Sequence, residues 1–319
     1  MKLEAPLEPA LVEELFEFWL PIFGLPNDLN PETLLGLENP QSLISAYTSR
    51  LEERMAGTCL VIRSPVMPEL GGFSEVATSP HARRTGIATT LSRRARDDFR
   101  EAGGEALFLG TVNPDAARIY FRLGWRKFAG ANVMVNVTSD ESPEEYLVNF
   151  FRGLGPATVG PATPGDRVPM IPQLLSPHDW QGLDLNVDIL STRYAVQDSC
   201  LGLYRRYSAM AKNGPGAWFC ARTKAGHVVG ISSALVVSDD GFRVDGFAHL
   251  DFLDSWTPLL QSAIEWCTSQ YASSVWTTVS FEDEEKLALL ESIGFRHTGQ
   301  GEPIDLGVRQ VRTLRCELA

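Results

Sequence analysis

Glu75-Val-Ala-Thr-Ser-Pro-His-Ala-Arg-Arg-Thr-Gly-Ile-Ala-Thr-Thr-Leu91 is the stretch on which the reading of this chain turns. A short apolar run, Phe73 to Thr78, meets Pro80 and an arginine-rich turn, and a helical pattern begins at Ile87, directly after Gly86. Strand, tight loop and helix N-terminus in this order build an anion site from backbone N–H groups and the positive end of a helix dipole. Arg83 and Arg84 add charge suited to phosphate oxygens, a solvated basic turn being the plainer alternative. The loop has only Gly86 where a dinucleotide fold needs three spaced glycines, and no Gly-Lys-Ser/Thr follows as in a Walker loop.

A second stretch, Gly110-Thr-Val-Asn-Pro-Asp-Ala-Ala-Arg-Ile-Tyr-Phe-Arg-Leu-Gly-Trp125, lies at a fixed distance downstream. Together the two resemble the GNAT superfamily of acyl-CoA-dependent N-acyltransferases. Arg83, Gly86 and Ala88 fill the three places of that family's pyrophosphate loop, Arg/Gln-x-x-Gly-x-Gly/Ala. Asn113, Ala117, Tyr120, Gly124 and Trp125 fall on the family's second motif. The resemblance implies an α+β fold. In it a mixed, mostly antiparallel sheet, with a parallel and splayed pair of fourth and fifth strands, is flanked by helices.

The 319 residues are 44% hydrophobic and 21% charged, the composition of a globular chain long enough for two domains. The formal net charge is −12, with the acidic excess shared equally by the parts before and after Gly155. Such a surface disfavours nucleic acid and anionic membranes. No run of apolar residues is long enough to span a bilayer, and Met1 to Pro6 lacks the apolar core of a signal peptide. The 5 cysteines are scattered without a Cys-x-x-Cys pair, which fits a reducing compartment; a cytoplasmic protein is expected. The 5 histidines have no paired spacing, so no metal site is expected.

In chain order, Lys2 to Ala5 reads as a strand, and Leu11, Leu15, Phe18 and Trp19 mark an amphipathic helix ended by Pro21. A short helical piece at Pro31 to Leu37 and strands at Ser42 to Leu51 and Gly57 to Arg63 lead to the phosphate loop. Helices at Ile87 to Ala102 and Pro114 to Leu123 flank a buried strand, Ala106 to Thr111. Closing strands follow at Arg126 to Phe128 and Asn132 to Val137. Residues 139–155 read as a polar connector with a helical segment at Glu144 to Phe151. The pattern then starts again: strand, turn and amphipathic helix around Val159 to Leu175. Strands at Ala217 to Arg222, Val228 to Val237, Phe242 to Leu250, Ser274 to Ser280 and Gln310 to Glu317 alternate with helices at Pro258 to Ser269 and Glu284 to Ile293. Gly294-Phe295 mirrors Gly124-Trp125. We read an internal duplication, with a first domain at 1–138, the connector at 139–155, and a second domain at 156–319.

The copies differ where the first carries its anion loop. The second has His249-Leu-Asp-Phe-Leu-Asp-Ser-Trp256, without glycine or arginine and with two acids, and Leu290 and Asp283 stand at the places of Tyr120 and Asn113. A phosphate cradle there meets like-charge repulsion. The first copy is expected to be catalytic and the second degenerate, shaping the acceptor cleft or holding the first domain's edge.

The resemblance implies acetyl-CoA as co-substrate. Its pantetheine lies between the fourth and fifth strands against backbone groups of Val76, Ala77 and Thr78. Its phosphates rest on Arg83, Arg84, Thr85, Gly86, Ile87, Ala88 and Thr89. Asn113 caps its own helix or also touches pantetheine, with Ala117 beside it. A main-chain N–H near Val76 steadies the oxyanion. Tyr120 is placed to protonate the leaving thiolate as general acid, or is a packed aromatic. Glu75 is the candidate general base, although alternation along the strand can turn it away from the cleft. Glu52, Glu53 and Glu69 rank below it. His81 sits in the loop, and His249 in the degenerate copy. The expected reaction is acetyl transfer to the amine of a small molecule. A non-catalytic acyl-CoA sensor and a protein or peptide N-acetyltransferase are the alternatives, and monomer and homodimer stay open.

Overall fold

β4 (Leu70–Thr78) and β5 (Ala106–Gly110) run parallel only at Leu70–Ala106, Gly71–Leu107 and Gly72–Phe108. Beyond Gly72 β4 continues to Thr78 without β5 beside it, so the two strands form an open fork. In this computed structural model, which describes residues 1–24, 27–139, 141–213, 216–237 and 241–319, the fork lies in a seven-stranded sheet. Its other strands are β1 (Lys2–Glu4), β2 (Leu43–Leu51), β3 (Arg54–Arg63), β6 (Arg126–Lys127) and β7 (Val133–Val137), in the order β1-β2-β3-β4-β5-β7-β6. All the remaining neighbours are antiparallel. β3, buried from Met55 to Ile62, reads as an apolar run because both of its faces are covered.

One face carries α1 (Pro9–Phe23), the single turn α2 (Pro31–Leu34) and α5 (Pro143–Phe151); the other carries α3 (Ile87–Glu101) and α4 (Pro114–Arg122). α1 does not stop at Pro21. A proline so near the end forfeits one helical hydrogen bond, and the helix closes at Gly24, whose N–H donates to the Leu20 carbonyl at 3.0 Å. α5 opens on a capping box of Ser142 and Glu145. The stretch read as a connector is therefore packed structure: Tyr146 and Leu147 enter the first core, and Phe151 the second. Its Asp140 lies outside the described residues.

A second sheet repeats the succession. β8 (Ala157–Pro161), β11 (Gly216–Thr223), β12 (Val228–Val236), β13 (Phe242–Ala248), β14 (Val275–Ser280), β15 (Phe295–Asp305) and β16 (Gln310–Leu318) stand in the order β15-β16-β14-β13-β12-β11-β8. β13 and β14 are its parallel pair, and they part after two residues, Phe242–Val275 and Arg243–Trp276. α8 (Trp256–Ser269) and α9 (Glu284–Ser292) take the places of α3 and α4. Three elements depart from the sequence reading. α6 (Met170–Leu175) is buried all round rather than amphipathic, because it is pressed between the two halves. The stretch Phe295 to Asp305, which carries no clear alternation, forms a long strand by pairing with β16. Residues 182–213, which had no assigned element, form a hairpin, β9 (Gly182–Asp184) and β10 (Ile189–Leu190), and α7 (Leu201–Asn213).

The halves share a core. Val168, Ile171 and Leu175 around α6, with Cys200 and Leu201, join α1, α2 and α5 of the first half in one apolar cluster. Arg167 is buried in the seam. It pairs with Glu38 at 2.6 Å, donates to Ser42 Oγ at 3.0 Å and lies 4.2 Å over the Tyr204 ring. The segment before α7 crosses to the first sheet, where Gln197 and Ala131 form a parallel bridge.

Candidate active site

The anion loop has the backbone its sequence requires. After a 3-10 turn at Pro80–Ala82, Arg83 is extended, Arg84 has φ +64 and Gly86 has φ +89. Left-handed residues alternating in this way turn successive N–H groups to one side. A Cβ on Gly86 would meet no atom within 4 Å, so conformation rather than crowding demands glycine, and the space before α3 is open. The first bond into α3 runs from Thr90 N–H to the Gly86 carbonyl at 2.9 Å. The N–H groups of Ile87, Ala88 and Thr89 thus have no backbone acceptor among the described residues, and they point out along the positive end of a 15-residue helix. Arg83, Arg84 and Thr85 are exposed, with Thr85 Oγ1 donating to the Ala82 carbonyl at 2.7 Å. These residues fit a polyphosphate.

β4 is bulged at the fork. Thr58 stands opposite Ala77 and Leu60 opposite Ser74, so Glu75 and Val76 together face Cys59. Glu75 has φ +48, a left-handed conformation held in place on its carbonyl side. Trp19 Nε1 donates to Thr58 Oγ1 at 2.8 Å, and Thr58 Oγ1 donates to the Glu75 carbonyl at 2.8 Å. Trp19, fully buried, is core and lies edge-on to Phe16 at 5.2 Å. The bulge turns Val76 toward the α3–α4 cluster and sends Glu75 to the α1 face. Ala77 is packed in the core, so it and Thr78 offer mainly backbone to a ligand.

Alternation would have set Glu75 against the opposite face; the extra residue is what brings its carboxyl to the loop between α1 and α2. There it is buried and pushed up to about 8, first by loss of solvent and then by the neighbouring Asp28 carboxylate. The backbone N–H groups of Leu29 and Asp28 hold it back in part. Asp28 is itself raised by burial, with Arg205 and Arg167 opposing. Asn27 and Ser74 are also buried here, and Asn27 Nδ2 and Oδ1 and Ser74 Oγ find no partner among the described residues. Sequence reading missed Asn27 and Asp28, because a polar residue in a short interhelical loop carries no local mark of what packs beside it.

Tyr120 is buried, edge-on to Phe73 at 6.1 Å and beside Trp125 at 6.0 Å. Burial, then the Cys59 thiol opposite the bulge, raises its hydroxyl above the usual phenol range, so it stays protonated. Ala117 is half-buried on the same helix. Asn113 caps α4, its Oδ1 accepting from Asp115 N–H at 2.9 Å and Ala116 N–H at 3.3 Å. The lower-ranked acids are elsewhere. Glu52 and Glu53 form the exposed β2–β3 turn, and the Glu69 carbonyl accepts from Glu105 and Ala106 at the closed end of the fork. His81 is exposed, and His249 stacks on Phe151 at 4.2 Å.

The fork of the second sheet is filled by its own chain. Leu185 N–H donates to Asp245 Oδ2 at 2.8 Å, and Lys286 Nζ donates to Asp245 Oδ1 at 2.7 Å and to the Gly182 carbonyl at 2.9 Å. Asp184 accepts from Tyr207 OH at 2.9 Å and Ser233 Oγ at 2.8 Å, and Gln181 N–H donates to Asp283. Residues 181–186 are thereby bonded to β12, β13 and the start of α9, across the gap where β13 and β14 part. β13 pairs with β12 without a register shift, so the fork strand of this copy has no bulge against its neighbour. Its loop enters α8 through a 3-10 turn, Leu250–Ser255, bearing Asp251 and Asp254. A cleft of about 500 Å³ lies against this turn and residues 151–159, away from the front fork.

Residues 10–125 match the family model described as the acetyltransferase (GNAT) family. The match lies within the front half and takes in α1, the open fork and both sequence motifs, so residues 10–125 are similar to a GNAT acetyltransferase domain. Solved structures similar to it include a GNAT-family acetyltransferase from Streptococcus pneumoniae (16% identity, 50% of this chain and 98% of that one, TM-score 0.38). A second is the GNAT-family acetyltransferase from Staphylococcus aureus Mu50 (13%, 51% and 99%, 0.40). A third is an IAA acetyltransferase from Bacillus cereus ATCC 14579 (16%, 36% and 83%, 0.30). Likenesses of this size do not speak to the acceptor. No curated protein matches the chain. No helix among the described residues is long and apolar enough to cross a membrane.

Proposed function

We propose that the protein transfers the acetyl group of acetyl-CoA to the amine of a small molecule, with the catalytic groups all in residues 1–138. Residues 156–319, joined through 139–155, then serve as a scaffold that closes the acceptor side. One observation carries this reading: the bulged, open β4/β5 fork has unpaired helix N–H groups on one side and a buried carboxyl of raised pKa, Glu75, on the other.

Acetyl-CoA supplies a thioester whose acyl carbon accepts a nucleophile. Arg83 to Thr89 hold the phosphates, and the backbone of Val76 to Thr78 orients the pantetheine and hydrogen-bonds the acyl oxygen. Glu75, ionised, takes a proton from the acceptor amine as its nitrogen bonds to the acyl carbon. The carbon–sulfur bond breaks, and Tyr120 gives its proton to the departing sulfur. Asn113 keeps the α4 N-terminus in place.

Thiol release with a panel of amines tests the proposal. Tyr120→Phe is expected to lower kcat by about 10²-fold with CoA affinity unchanged. Tight CoA binding without turnover of any amine would point to a sensor instead, and labelling of lysate proteins from acetyl-CoA to a protein acceptor.

A further inference from the structure

We infer that Asp28, held against the second half of the chain, is a positioning residue for Glu75: its carboxylate decides where the Glu75 carboxyl gives up its proton. This rests on Glu75 as the base of the proposed acetyl transfer and adds the device that regulates it. Two sets of contacts place Glu75. Its carbonyl accepts from Thr58 Oγ1 at 2.8 Å, and its carboxyl accepts from the backbone N–H groups of Leu29 and Asp28. Leu29 is buried in the first core, and Asn30 Oδ1 accepts from Thr33 N–H at 2.9 Å to cap α2. The clamp on Glu75 is thus itself fixed on its downstream side.

The Asp28 side chain reaches the start of α7. A Cβ on Gly202 would stand 2.8 Å from Asp28 Oδ1 and 2.6 Å from Ser199 Oγ. The missing side chain lets the carboxylate lie against the first turn of α7, at the positive end of its dipole. Arg205, one turn further on, and Arg167, before α6, line a cleft of about 190 Å³ with Asp28, and their charges oppose the cost of burying it. Around that cleft, Glu38 is paired with Arg167 at 2.6 Å, and Lys212 lies 3.6 Å from Glu32. The Cys200 thiol and the Tyr204 hydroxyl, both pushed up to about 12 first by burial, stay neutral.

Two neighbouring carboxyls shut off from water do not both ionise readily. Cations and a helix N-terminus face Asp28, whereas backbone N–H groups alone favour the Glu75 carboxylate. Asp28 therefore loses its proton first, and its charge, after burial, is what raises Glu75 to about 8. Both arginines belong to residues 156–319, so the second half sets the pH at which the front carboxyl becomes a base. The two signs differ. Removing the Asp28 charge eases ionisation of Glu75, and removing a cation makes both steps of the pair harder.

The test is a pH titration of the full chain carrying ¹³C-labelled carboxyls, followed by NMR, with the Glu75 signal assigned by its loss in Glu75→Gln. The Glu75 midpoint is expected to fall by about 1 pH unit in Asp28→Asn and to rise by about 0.5 unit in the half-exposed Arg205→Gln. A midpoint that stays put in either variant, or moves the same way in both, overturns the inference. Should Asp28→Asn fail to fold, the rise in Arg205→Gln decides alone. Thiol release with any amine turned over in the panel gives a separate reading, its half-maximal pH following the midpoint in each variant. Turnover that is unchanged in Glu75→Gln would sink the base reading, while the titration still reads the coupling of the two carboxyls.

Discussion

The same fork occurs twice in this molecule, open in front and closed behind. Both parallel pairs part after two or three residues, so the splay belongs to the shared topology. What differs is the filling. The front fork has a bulge, a left-handed loop and a helix whose first N–H groups have no backbone acceptor among the described residues. The rear fork has an unbulged strand, two aspartates in the loop, and residues 181–186 fastened across the gap by Asp245, Lys286 and Asp184. The two copies therefore differ by more than the loop. The rear fork is occupied by its own backbone and a buried ion pair, where the front fork stands open.

Lys286→Met tests the comparison hardest. Removing the cation leaves Asp245 buried and unpaired at a cost of about 3–5 kcal/mol, read as a large fall in melting temperature, with front-fork CoA affinity intact. Appearance of a second CoA equivalent in that variant would break the comparison, because the rear slot would then be latent rather than spent. Next comes the loop. Gly86→Asp, which imports the rear copy's acidity at a residue of positive φ, should weaken CoA binding by about 10²-fold or more. An unchanged Kd would mean that the loop is not the phosphate site.

Glu75→Gln sharpens the comparison through pH. As a base Glu75 must be ionised, so wild-type kcat should rise with pH to a plateau above about 8, and the variant should lose that rise. Stability gives an independent reading. A carboxyl raised in the folded state favours folding while protonated, and that contribution fades as pH climbs from the ordinary carboxylate range through about 8. The variant should therefore melt progressively higher than wild type over this window, by roughly a few kcal/mol at most. A constant difference across pH would show that Glu75 does not titrate there. Smallest is Asn113→Ala, expected to cost about 0.5–2 kcal/mol through the lost cap; a drop in CoA affinity beyond that cost would add pantetheine contact to its role.

The anion loop, the Asn113–Trp125 motif and the duplicated order of elements were legible in the sequence because each is written in neighbouring residues. Gly86 after two arginines specifies a left-handed turn wherever it folds, and Asn113-Pro114 caps a helix without outside help. Local pattern misjudged α6 and Pro21, since burial between the two halves and closeness to a helix end are not properties of the residues themselves. Glu75 stands between these cases: its strand was evident, but its direction depended on a bulge that exists only in register with β3.

Sequence alone decided that this chain would make two forked sheets and that only the first would have a glycine and two arginines ahead of its helix, since backbone conformation and local charge follow from adjacent residues. Tertiary structure decided which carboxyls are buried together, that residues 181–186 close the rear fork, and that α7 begins against the front sheet at Gly72. Those outcomes join groups from 41 to more than 100 positions apart, and their energies come from desolvation, which exists only once the chain has packed.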